Sequence, residues 1–474
     1  MKSIIRNAIK TFLIMATLAA PAGAQERDRK AAAQPSQPPA TLYFISDLHI
    51  GGSAGLDPCE FEPELIAFLR RLPEGPQPAE LIIVGDAFGM WELPEIKGEE
   101  KIPHIASRHE ALFDQFCETG RRVKITVLPG NHDYELACLP CCKDQLAEYN
   151  IRLEPVTHIL REVAGRKIWI EHGNQRDAFN TFPDFGNRYG LPEGYYITLR
   201  SVVTAAEGAK RGKSAWLNDL ASVYPSEDIP FWIWSNYFYR EMTPLLRLLL
   251  LPFLCLFTIS VIVFAGRALE KAGILRTKIF HMRLGERVGM PGRLVDWVLW
   301  VNGVVISFLL ILAIPAWLLV RDVRATLLRF GVDTSEAARV QKEDAYSTAA
   351  KAIFEQDPSV AVFIYGHTHT PFLRMVGERC IINTGTWIKR LYRTPAPFRL
   401  VPDVYVPSYR LNYFTISEKD GNVRVSYEII PKAPPRDLTI LERLMSLGRR
   451  PRDRDAIPAE TLIRRKDETK GNHG

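Results

Sequence analysis

The sequence predicts an α/β protein, a layered sandwich of strands and helices, with two membrane-spanning helices in addition. Short apolar runs alternate with segments of helical spacing in the first half, and strand-like segments follow one another near the end. Asp, Asn and His residues stand directly after several of these apolar runs. Two long segments without charged residues, 248–266 and 297–320, separate the two halves.

The individual elements follow from residue patterns along the chain. Pro73 ends the first predicted helix, and Asp420-Gly421 joins the last two predicted strands as a hairpin. The predicted strands are 42–45, 81–84, 123–128, 167–170, 361–365, 380–383, 413–417 and 423–429, and the predicted helices are 62–71, 105–117 and 335–356.

Polar residues that can bind cations follow five of the predicted strands. Asp47 and His49 are two residues apart, so an extended strand end places both side chains on one side of the pleat. His367 and His369 repeat this spacing. Asp86 follows a continuous apolar strand, and its two oxygens can bridge two cations. The candidate metal ligands are Asp47, His49, Asp86, Asn131, His172, His367 and His369.

This ligand set predicts a centre of two divalent cations. Its donors are oxygens and imidazoles without cysteine, which favours Mn, with Fe or Zn as alternatives. Two such ions about 4 Å apart clamp a phosphate group and convert bound water to hydroxide at neutral pH. Each motif alone is weakly specific, because a lone Asp-x-His or Gly-Asp is often an ordinary loop. Five such motifs in this order are hard to obtain by chance.

The order of the motifs resembles the calcineurin-like metallophosphoesterase family, whose pattern is D-x-H, G-D, G-N-H-[DE], a lone His and G-H-x-H. All five are present, within residues 41–200 and 340–430. The resemblance implies two mixed β-sheets packed as a sandwich with helices outside, and hydrolysis of a phosphate ester or pyrophosphate bond. It implies one cation held by Asp47, His49, Asp86 and His369, and a second held by Asp86, Asn131, His172 and His367.

The resemblance also implies catalytic roles for two further residues. His132 would protonate the leaving oxygen or stabilise the transition state, and Asp133 would orient it. Arg176, in the loop after the lone histidine, either holds a phosphate oxygen bidentately or forms a salt bridge with Asp177 or Asp184. The residues alone leave both interpretations of Arg176 open.

A narrower resemblance concerns the segment after Gly85-Asp86. The spacing of Phe88 and Trp91 is similar to the branch that contains UDP-2,3-diacylglucosamine pyrophosphatases. Those enzymes tend to have Arg where this chain has His132, which leaves the lipid substrate open. Many family members carry a second acid a few residues after Gly-Asp, whereas this chain has Gly89 and Met90 there.

The first 24 residues predict a signal peptide. Lys2, Arg6 and Lys10 precede a short apolar stretch, and Ala22-Gly23-Ala24 offers small residues for cleavage. An uncleaved anchor is the alternative. Residues 25–40 are rich in Pro and Ala and are predicted to form a linker. The phosphoesterase domain is then expected in two pieces, 41–243 and 330–430.

Residues 244–325 are predicted to form a transmembrane hairpin between these pieces. Each charge-free segment is long enough to cross a hydrocarbon core about 30 Å thick, and Trp and Tyr residues flank them as in interfacial belts. Two buried helices of a soluble domain are the alternative. The hairpin lies between His172 and His367, and an even number of crossings keeps both halves of the site on one side.

The charges around the hairpin predict its orientation. Its connecting loop, 267–293, contains seven Lys and Arg residues against two Glu, which is typical of a cytoplasmic loop. The catalytic pieces would then face the periplasm from a bacterial inner membrane, in agreement with an export signal. Arginines on the opposite flanks weaken this interpretation, and a catalytic domain on the cytoplasmic face, cleaving a UDP-lipid, is the alternative.

Composition narrows the range of partners. The net charge of +6 is too modest to indicate nucleic acid binding, so the expected partners are the lipid bilayer and a phosphorylated small-molecule or lipid-linked substrate. Of the seven cysteines, six lie outside the apolar segments, and we expect structural disulfides among them. Residues 431–474 are basic and Pro-rich and predict a flexible tail. A non-enzymatic membrane sensor or scaffold on the same frame should have lost at least one ligand.

Overall fold

The structure is a computed structural model, and the part described below comprises residues 41–51, 59–72, 78–196, 198–200, 219, 222–223, 228–277, 279–281, 283–329, 336–397, 401–433, 438–448 and 456–464. The predicted signal peptide and linker, 1–24 and 25–40, lie outside the described residues.

Strands and helices alternate through the first half of the chain, and strands predominate after the two longest helices. The strands are β1 (Thr41–Ile45), β2 (Ala79–Val84), β3 (Lys124–Leu128), β4 (Ile151–Leu153), β5 (His158–Val163), β6 (Arg166–Glu171), β7 (Val360–Tyr365), β8 (Phe372–Val376), β9 (Arg379–Asn383), β10 (Arg390–Thr394), β11 (Val404–Ser408), β12 (Leu411–Lys419), β13 (Asn422–Ile430) and β14 (Glu460–Ile463).

The helices lie between and after these strands. They are α1 (Glu62–Arg71), α2 (Gly98–Arg108), α3 (Glu110–Gly120), α4 (Glu135–Cys138), α5 (Cys141–Ala147), α6 (Ile229–Asn236), α7 (Pro244–Lys271), α8 (Gly285–Val288), α9 (Met290–Arg329), α10 (Glu336–Gln356) and α11 (Ile440–Ser446), with a 3₁₀ turn at Asn174–Arg176 and a π-helical turn at Tyr237–Glu241.

Two mixed sheets form the body of the protein, as predicted. The larger has seven strands in the order β14-β13-β12-β1-β2-β3-β4, with β1 to β4 parallel and the others antiparallel. The smaller has the order β5-β6-β7-β9-β8, with β6, β7 and β9 parallel. Strands β10 and β11 form a separate antiparallel pair. Parallel strands with apolar residues at nearly every position are buried on both faces, which explains their continuous apolar runs.

The two sheets pack face to face around one apolar core. Leu42 and Ile82 from the larger sheet and Ile170 and Ile364 from the smaller belong to the same cluster of fully buried side chains. The outer face of the larger sheet packs on α1, α2 and α3, and the outer face of the smaller sheet packs on α10. This arrangement is a sandwich flanked by helices, and it brings the carboxyl ends of several parallel strands together.

Two helices of the described chain, α7 and α9, are long and apolar enough to cross a membrane. Many of their apolar side chains are exposed, as at Leu248 and Ile311. The two helices contact each other, and Asn302 Nδ2 donates a hydrogen bond to Ser260 Oγ at 2.8 Å. Length and composition agree with the predicted hairpin, and the membrane itself stays a prediction.

The structure corrects two expectations about the remainder of the chain. The predicted flexible tail includes α11, which begins with a capping box at Thr439 and Glu442, and β14, which pairs with the outer edge of β13. The edge of a sheet presents unpaired N–H and C=O groups to which a short segment can hydrogen-bond. The tail can therefore add a strand there although its apolar residues are scattered. The expected disulfides are absent, because all seven cysteines, each within the described residues, are free thiols.

Candidate metal centre

Loops at the ends of β1, β2, β3, β6 and β7 meet at one edge of the sandwich. The first three strands are neighbours in the larger sheet, and β6 and β7 are neighbours in the smaller. Gly366 N–H donates to the His172 carbonyl at 2.9 Å, which joins the two loops of the smaller sheet. His367 N–H donates to the Asp47 carboxylate at 3.1 Å, which joins loops 320 residues apart in sequence.

The loop backbones have conformations that side chains rarely adopt. Five of the predicted ligands have φ between +48° and +63°, where non-glycine residues are strained. Glycines allow the loops to approach closely: a Cβ on Gly130 would lie 2.1 Å from Asp86 Oδ1, and one on Gly366 would lie 2.5 Å from Asp47 Oδ2. Strain of this kind is typical of functional sites. The five strained ligands are Asp47, His49, Asp86, His367 and His369.

Four predicted ligands form a first group, and one atom from each lies within 4.8 Å of the others. His369 Nε2 lies 3.0 Å from Asp47 Oδ1 and 3.2 Å from His49 Nε2. His49 Nε2 lies 3.8 Å from Asp86 Oδ2. Asp47 and Asp86 are buried, whereas the His369 side chain is 20% exposed. These four side chains, Asp47, His49, Asp86 and His369, are the set predicted for one cation.

The other predicted ligands form a second group around Asn131. Its Oδ1 lies 3.1 Å from His172 Nε2 and 2.9 Å from His367 Nδ1. Asp86 Oδ2 lies 3.3 Å from the same His172 nitrogen. Asp86 therefore belongs to both groups, which is the placement expected of a bridging carboxylate.

The hydrogen bonds behind the second group show that its donors fit a cation. His172 Nδ1 lies 2.9 Å from the Val84 carbonyl, which only accepts, so Nδ1 carries the proton. The Nε2 lone pair of the neutral ring then points at the oxygens of Asn131 and Asp86. Converging lone pairs with an outer acceptor behind the ring are the usual arrangement around a protein-bound metal.

His367 is oriented in the same way. Its Nε2 lies 3.2 Å from Asp177 Oδ2, which leaves the Nδ1 lone pair facing Asn131 Oδ1. Protonation of His172 is the alternative to a cation: burial lowers its pKa, but Asp86 and Asp47 outweigh burial and raise it to about 10. A divalent cation would take the place of that proton.

Comparison with known families agrees with this geometry. Residues 40–239 match the family model of the calcineurin-like phosphoesterases. The matched region supplies β1, β2, β3 and β6 with their loops, and the loop after β7, which carries His367 and His369, lies beyond it. The structure brings that loop to the other four. No curated protein matches the chain.

His132 stands at the rim of this candidate metal centre. Its side chain is 20% exposed, and its Nδ1 lies 2.8 Å from Glu92 Oε1. Its ring packs on Trp91 with centroids 4.6 Å apart, and Trp91 is itself buried. Burial lowers the pKa of His132, but the Glu92 carboxylate outweighs burial and raises it to about 9. His132 therefore carries a proton at neutral pH.

The contacts of Asp133 lie with the loop backbone rather than with the His132 ring that it was predicted to orient. Its carboxylate is fully buried and accepts from the N–H of Gly130 at 2.6 Å and of Phe88 at 3.2 Å. Asp133 thus holds two ligand loops together, and Glu92 takes the role of orienting His132. Sequence reasoning missed Glu92, although an acid shortly after Gly-Asp was a signal to look for.

Arg176 contacts a carboxylate within its own loop region. Its Nε lies 3.1 Å from Glu171 Oε1 and its Nη2 lies 3.2 Å from Glu171 Oε2. Arg176 therefore forms a salt bridge, but its partner is Glu171 at the end of β6 rather than Asp177 or Asp184 as predicted. The neighbouring Asp177, which sequence reasoning considered only as a partner of Arg176, supports His367 instead.

Arg390, on β10, is a further residue that sequence reasoning missed. It is buried, and its Nη1 lies 2.8 Å from His369 Nδ1. No motif marks this arginine, because it reaches the centre only through the packing of β10. A guanidinium beside a predicted ligand adds a positive charge at the edge of the first group.

Proposed function

We propose that the chain is a membrane-tethered phosphoesterase that holds two divalent cations and hydrolyses a phosphate ester or pyrophosphate bond. The observation that carries this proposal is the convergence of the seven predicted ligands, from loops of both sheets, into two groups that share Asp86. A scaffold without activity would be expected to have lost part of this set, and every member is present within contact distance.

The residues of the chain divide the work of the reaction. Bound cations would polarise the phosphate and supply an activated water molecule. His132 carries a proton at the rim of the centre and donates it to the leaving oxygen, which contributes about 10²- to 10⁴-fold in such reactions. Glu92 keeps the His132 ring in place and keeps it protonated. Asp133 and the strained loops fix the ligand positions before substrate arrives.

Hydrolysis by the purified chain tests the proposal. We expect the protein in detergent, stripped with a chelator and reloaded with Mn²⁺, to cleave a nitrophenyl phosphate monoester or diester. Fe²⁺ and Zn²⁺ are tested in parallel. Activity should disappear on stripping and return on reloading. His158→Ala is the control for loss of a histidine, because His158 is not a predicted ligand and its ring stacks on Trp169. Stripped protein that remains fully active would contradict a role for the cations.

The tether is supported by the surroundings of α7 and α9. Immediately before α7, Trp234 and Tyr237 are exposed and stack on each other, whereas Trp232 and Tyr239 are buried. Exposed aromatic rings next to an apolar helix are typical of a membrane interface. The α6 region would therefore rest on the bilayer surface, with the phosphoesterase domain beside it.

The orientation that we propose places this domain on the outer face of a bacterial inner membrane. The support is the basic composition of residues 267–293 between the two helices. Reporter fusions within 267–293 test it, and a reporter there that is active only in the periplasm would reverse the orientation. A cytoplasmic domain would instead suit a UDP-lipid pyrophosphatase.

The substrate that we propose is a lipid-linked phosphate, because the tether would hold the centre close to headgroups. Screening the Mn²⁺-loaded protein against lipid phosphates, UDP-lipids and nucleotides ranks the candidates. A preference for soluble nucleotides over all lipid substrates would contradict the lipid proposal and leave the hydrolase proposal standing.

A further inference from the structure

A second set of cation-binding side chains lies outside the phosphoesterase centre. Cys59, Glu62 and His109 each offer one ligand atom, and these atoms lie within 4.8 Å of one another. His109 Nδ1 lies 2.7 Å from Glu62 Oε2. Cys59 and His109 are 8% and 5% exposed, and the Glu62 side chain is 26% exposed, so the group is sheltered but open at one side.

The local fold explains why these three residues meet. Cys59 and Glu62 stand at the start of α1, and His109 stands at the junction of α2 and α3. Sequence reasoning predicted one helix across that junction, but the chain turns at His109, which ends α2 and begins α3. The turn directs the imidazole towards the first turn of α1, where Glu62 receives it.

The donors of this group differ from those of the phosphoesterase centre. The centre contains only oxygen and imidazole donors, whereas Cys59 adds a thiol, the donor that selects Zn²⁺ over Mn²⁺. One thiolate, one carboxylate and one neutral imidazole balance the charge of a divalent ion. Three protein ligands of these types, with the fourth position open, are the usual set of a zinc site that retains a water molecule.

Glu60, which lies between Cys59 and Glu62 in sequence, has partners of its own. Lys389 lies 2.7 Å from Glu60 and 2.7 Å from Asp219, so its ammonium is held by two other carboxylates. Tyr409 also donates to Glu60. The Glu62 carboxylate lies against His109, and a bound ion would supply counter-charge to a thiolate at Cys59.

We propose that Cys59, Glu62 and His109 form a zinc site, separate from the phosphoesterase centre. The ion fixes the start of α1 to the junction of α2 and α3. Helix α2 in turn packs on the His49 loop: a Cβ on Gly51 would lie 2.8 Å from Ile105 Cγ1. The zinc site thus supports one ligand loop of the centre from behind, without contributing a ligand.

Cobalt spectroscopy on the full-length protein in detergent tests this site. Co²⁺ bound by a thiolate has a charge-transfer band in the near ultraviolet, and a centre of oxygen and nitrogen donors lacks it. The Asp86→Asn background weakens the phosphoesterase centre and isolates the new site. We expect one equivalent of Co²⁺ to produce the band and Zn²⁺ to abolish it by displacement. Cys59→Ser should lose the band, and Cys117→Ser, a matched control on α3, should keep it.

Two further measurements keep the test decisive. His109→Gln retains the thiol and a similar volume, and should weaken Zn²⁺ binding by at least the roughly 10- to 100-fold that loss of an outer partner costs. Added Zn²⁺ should raise the melting temperature of Asp86→Asn, and raise it less in the double variant with Cys59→Ser. Absence of the band in the Asp86→Asn protein, or its retention in Cys59→Ser, overturns the proposal. A protein that hydrolyses no phosphate ester but shows the band would refute only the proposed activity.

Discussion

The two groups of the candidate centre differ in the hydrogen-bond partners of their histidine rings on the side away from the other ligands. In the second group, His172 contacts the Val84 carbonyl and His367 contacts the Asp177 carboxylate, and both partners accept a hydrogen bond from the ring. In the first group, His369 is backed by Arg390, which only donates. The second group is therefore arranged for a cation as it stands, and the first is not.

The difference has a consequence for the order of loading. If Arg390 donates to His369 Nδ1, the ring proton must lie on Nε2, the atom that faces Asp47 at 3.0 Å. A cation at Nε2 requires that proton to move to Nδ1 and Arg390 to turn away. We therefore expect the second group to bind its cation more tightly, and the first to bind with a rearrangement of Arg390.

The largest expected effect comes from the residue that the two groups share. Asp86→Asn should lower the affinity of both groups, by more than the roughly 100-fold that loss of an outer partner costs, because a bridging carboxylate neutralises both ions. Metal analysis after gel filtration measures the occupancy. Asp420→Asn, at the exposed β12–β13 turn, is the matched control. Full occupancy by two ions in Asp86→Asn would show that Asp86 is not a bridging ligand.

Catalysis can be separated from cation binding at His132. His132→Ala should lower turnover by about 10²- to 10⁴-fold and leave both cations bound, since its Nδ1 contacts Glu92 rather than a ligand. Normal turnover in this variant would exclude the acid role.

Glu92→Gln should change the pH dependence of the same step. The protonated His132 is the active form, so activity falls as the pH rises through its pKa of about 9. Without the Glu92 carboxylate, that pKa moves down and the alkaline limb of the pH–rate profile moves with it. An unchanged profile would mean that another group controls the limb.

The convergence of the candidate ligands was predictable because most of them follow strongly apolar strands. The runs before Asp86 and His367 are apolar at almost every position, and such runs identify buried parallel strands without ambiguity of face. The polar residues that end them then had to meet at one sheet edge. Local spacing was sufficient for these residues.

The outer partners were not predictable, because packing rather than spacing selects them. Asp133 adjoins His132 in sequence, yet its carboxylate contacts the loop backbone. The carboxylate that contacts the His132 ring is Glu92, from another loop. Arg390 lies on β10, a strand that sequence reasoning did not identify, because Arg, Tyr and Thr interrupt its apolar pattern. The break between α2 and α3 at His109 was not predicted either, because the helical spacing of the apolar residues continues across the turn.

The contrast between the two groups is tested directly by substituting the residues that hydrogen-bond to the outer nitrogens of His367 and His369. Asp177→Asn should weaken the second cation by about 10- to 100-fold, because a neutral amide replaces the charged acceptor that fixes the His367 tautomer. Arg390→Gln should leave the second cation unchanged and tighten the first, because it removes a positive charge beside His369. Calorimetric titration with Mn²⁺ resolves the two steps. Equal weakening of both steps by Asp177→Asn would show that the groups do not bind independently.

The smallest effect on the centre is expected from substitution of Glu80, a buried carboxylate that is not a candidate ligand. A Glu80 variant therefore distinguishes unfolding in acid from loss of metal in acid. Burial raises the pKa of Glu80, but hydrogen bonds from Arg161 at 2.7 and 2.8 Å and from Thr126 at 2.6 Å lower it to about 2. Its stabilisation is therefore complete above the ordinary carboxyl pKa of 4.5 and is lost as the pH falls towards 2.

Glu80→Gln should lower the free energy of unfolding at pH 7 by on the order of 3 kcal/mol, and the difference from wild type should shrink below pH 4.5. Glu460→Gln, which breaks an exposed pair with Lys419, should change the free energy of unfolding much less than Glu80→Gln at any pH. Denaturant unfolding at several pH values checks both, and a Glu80→Gln difference that grows in acid would mean that this carboxylate does not stabilise the fold through its charge.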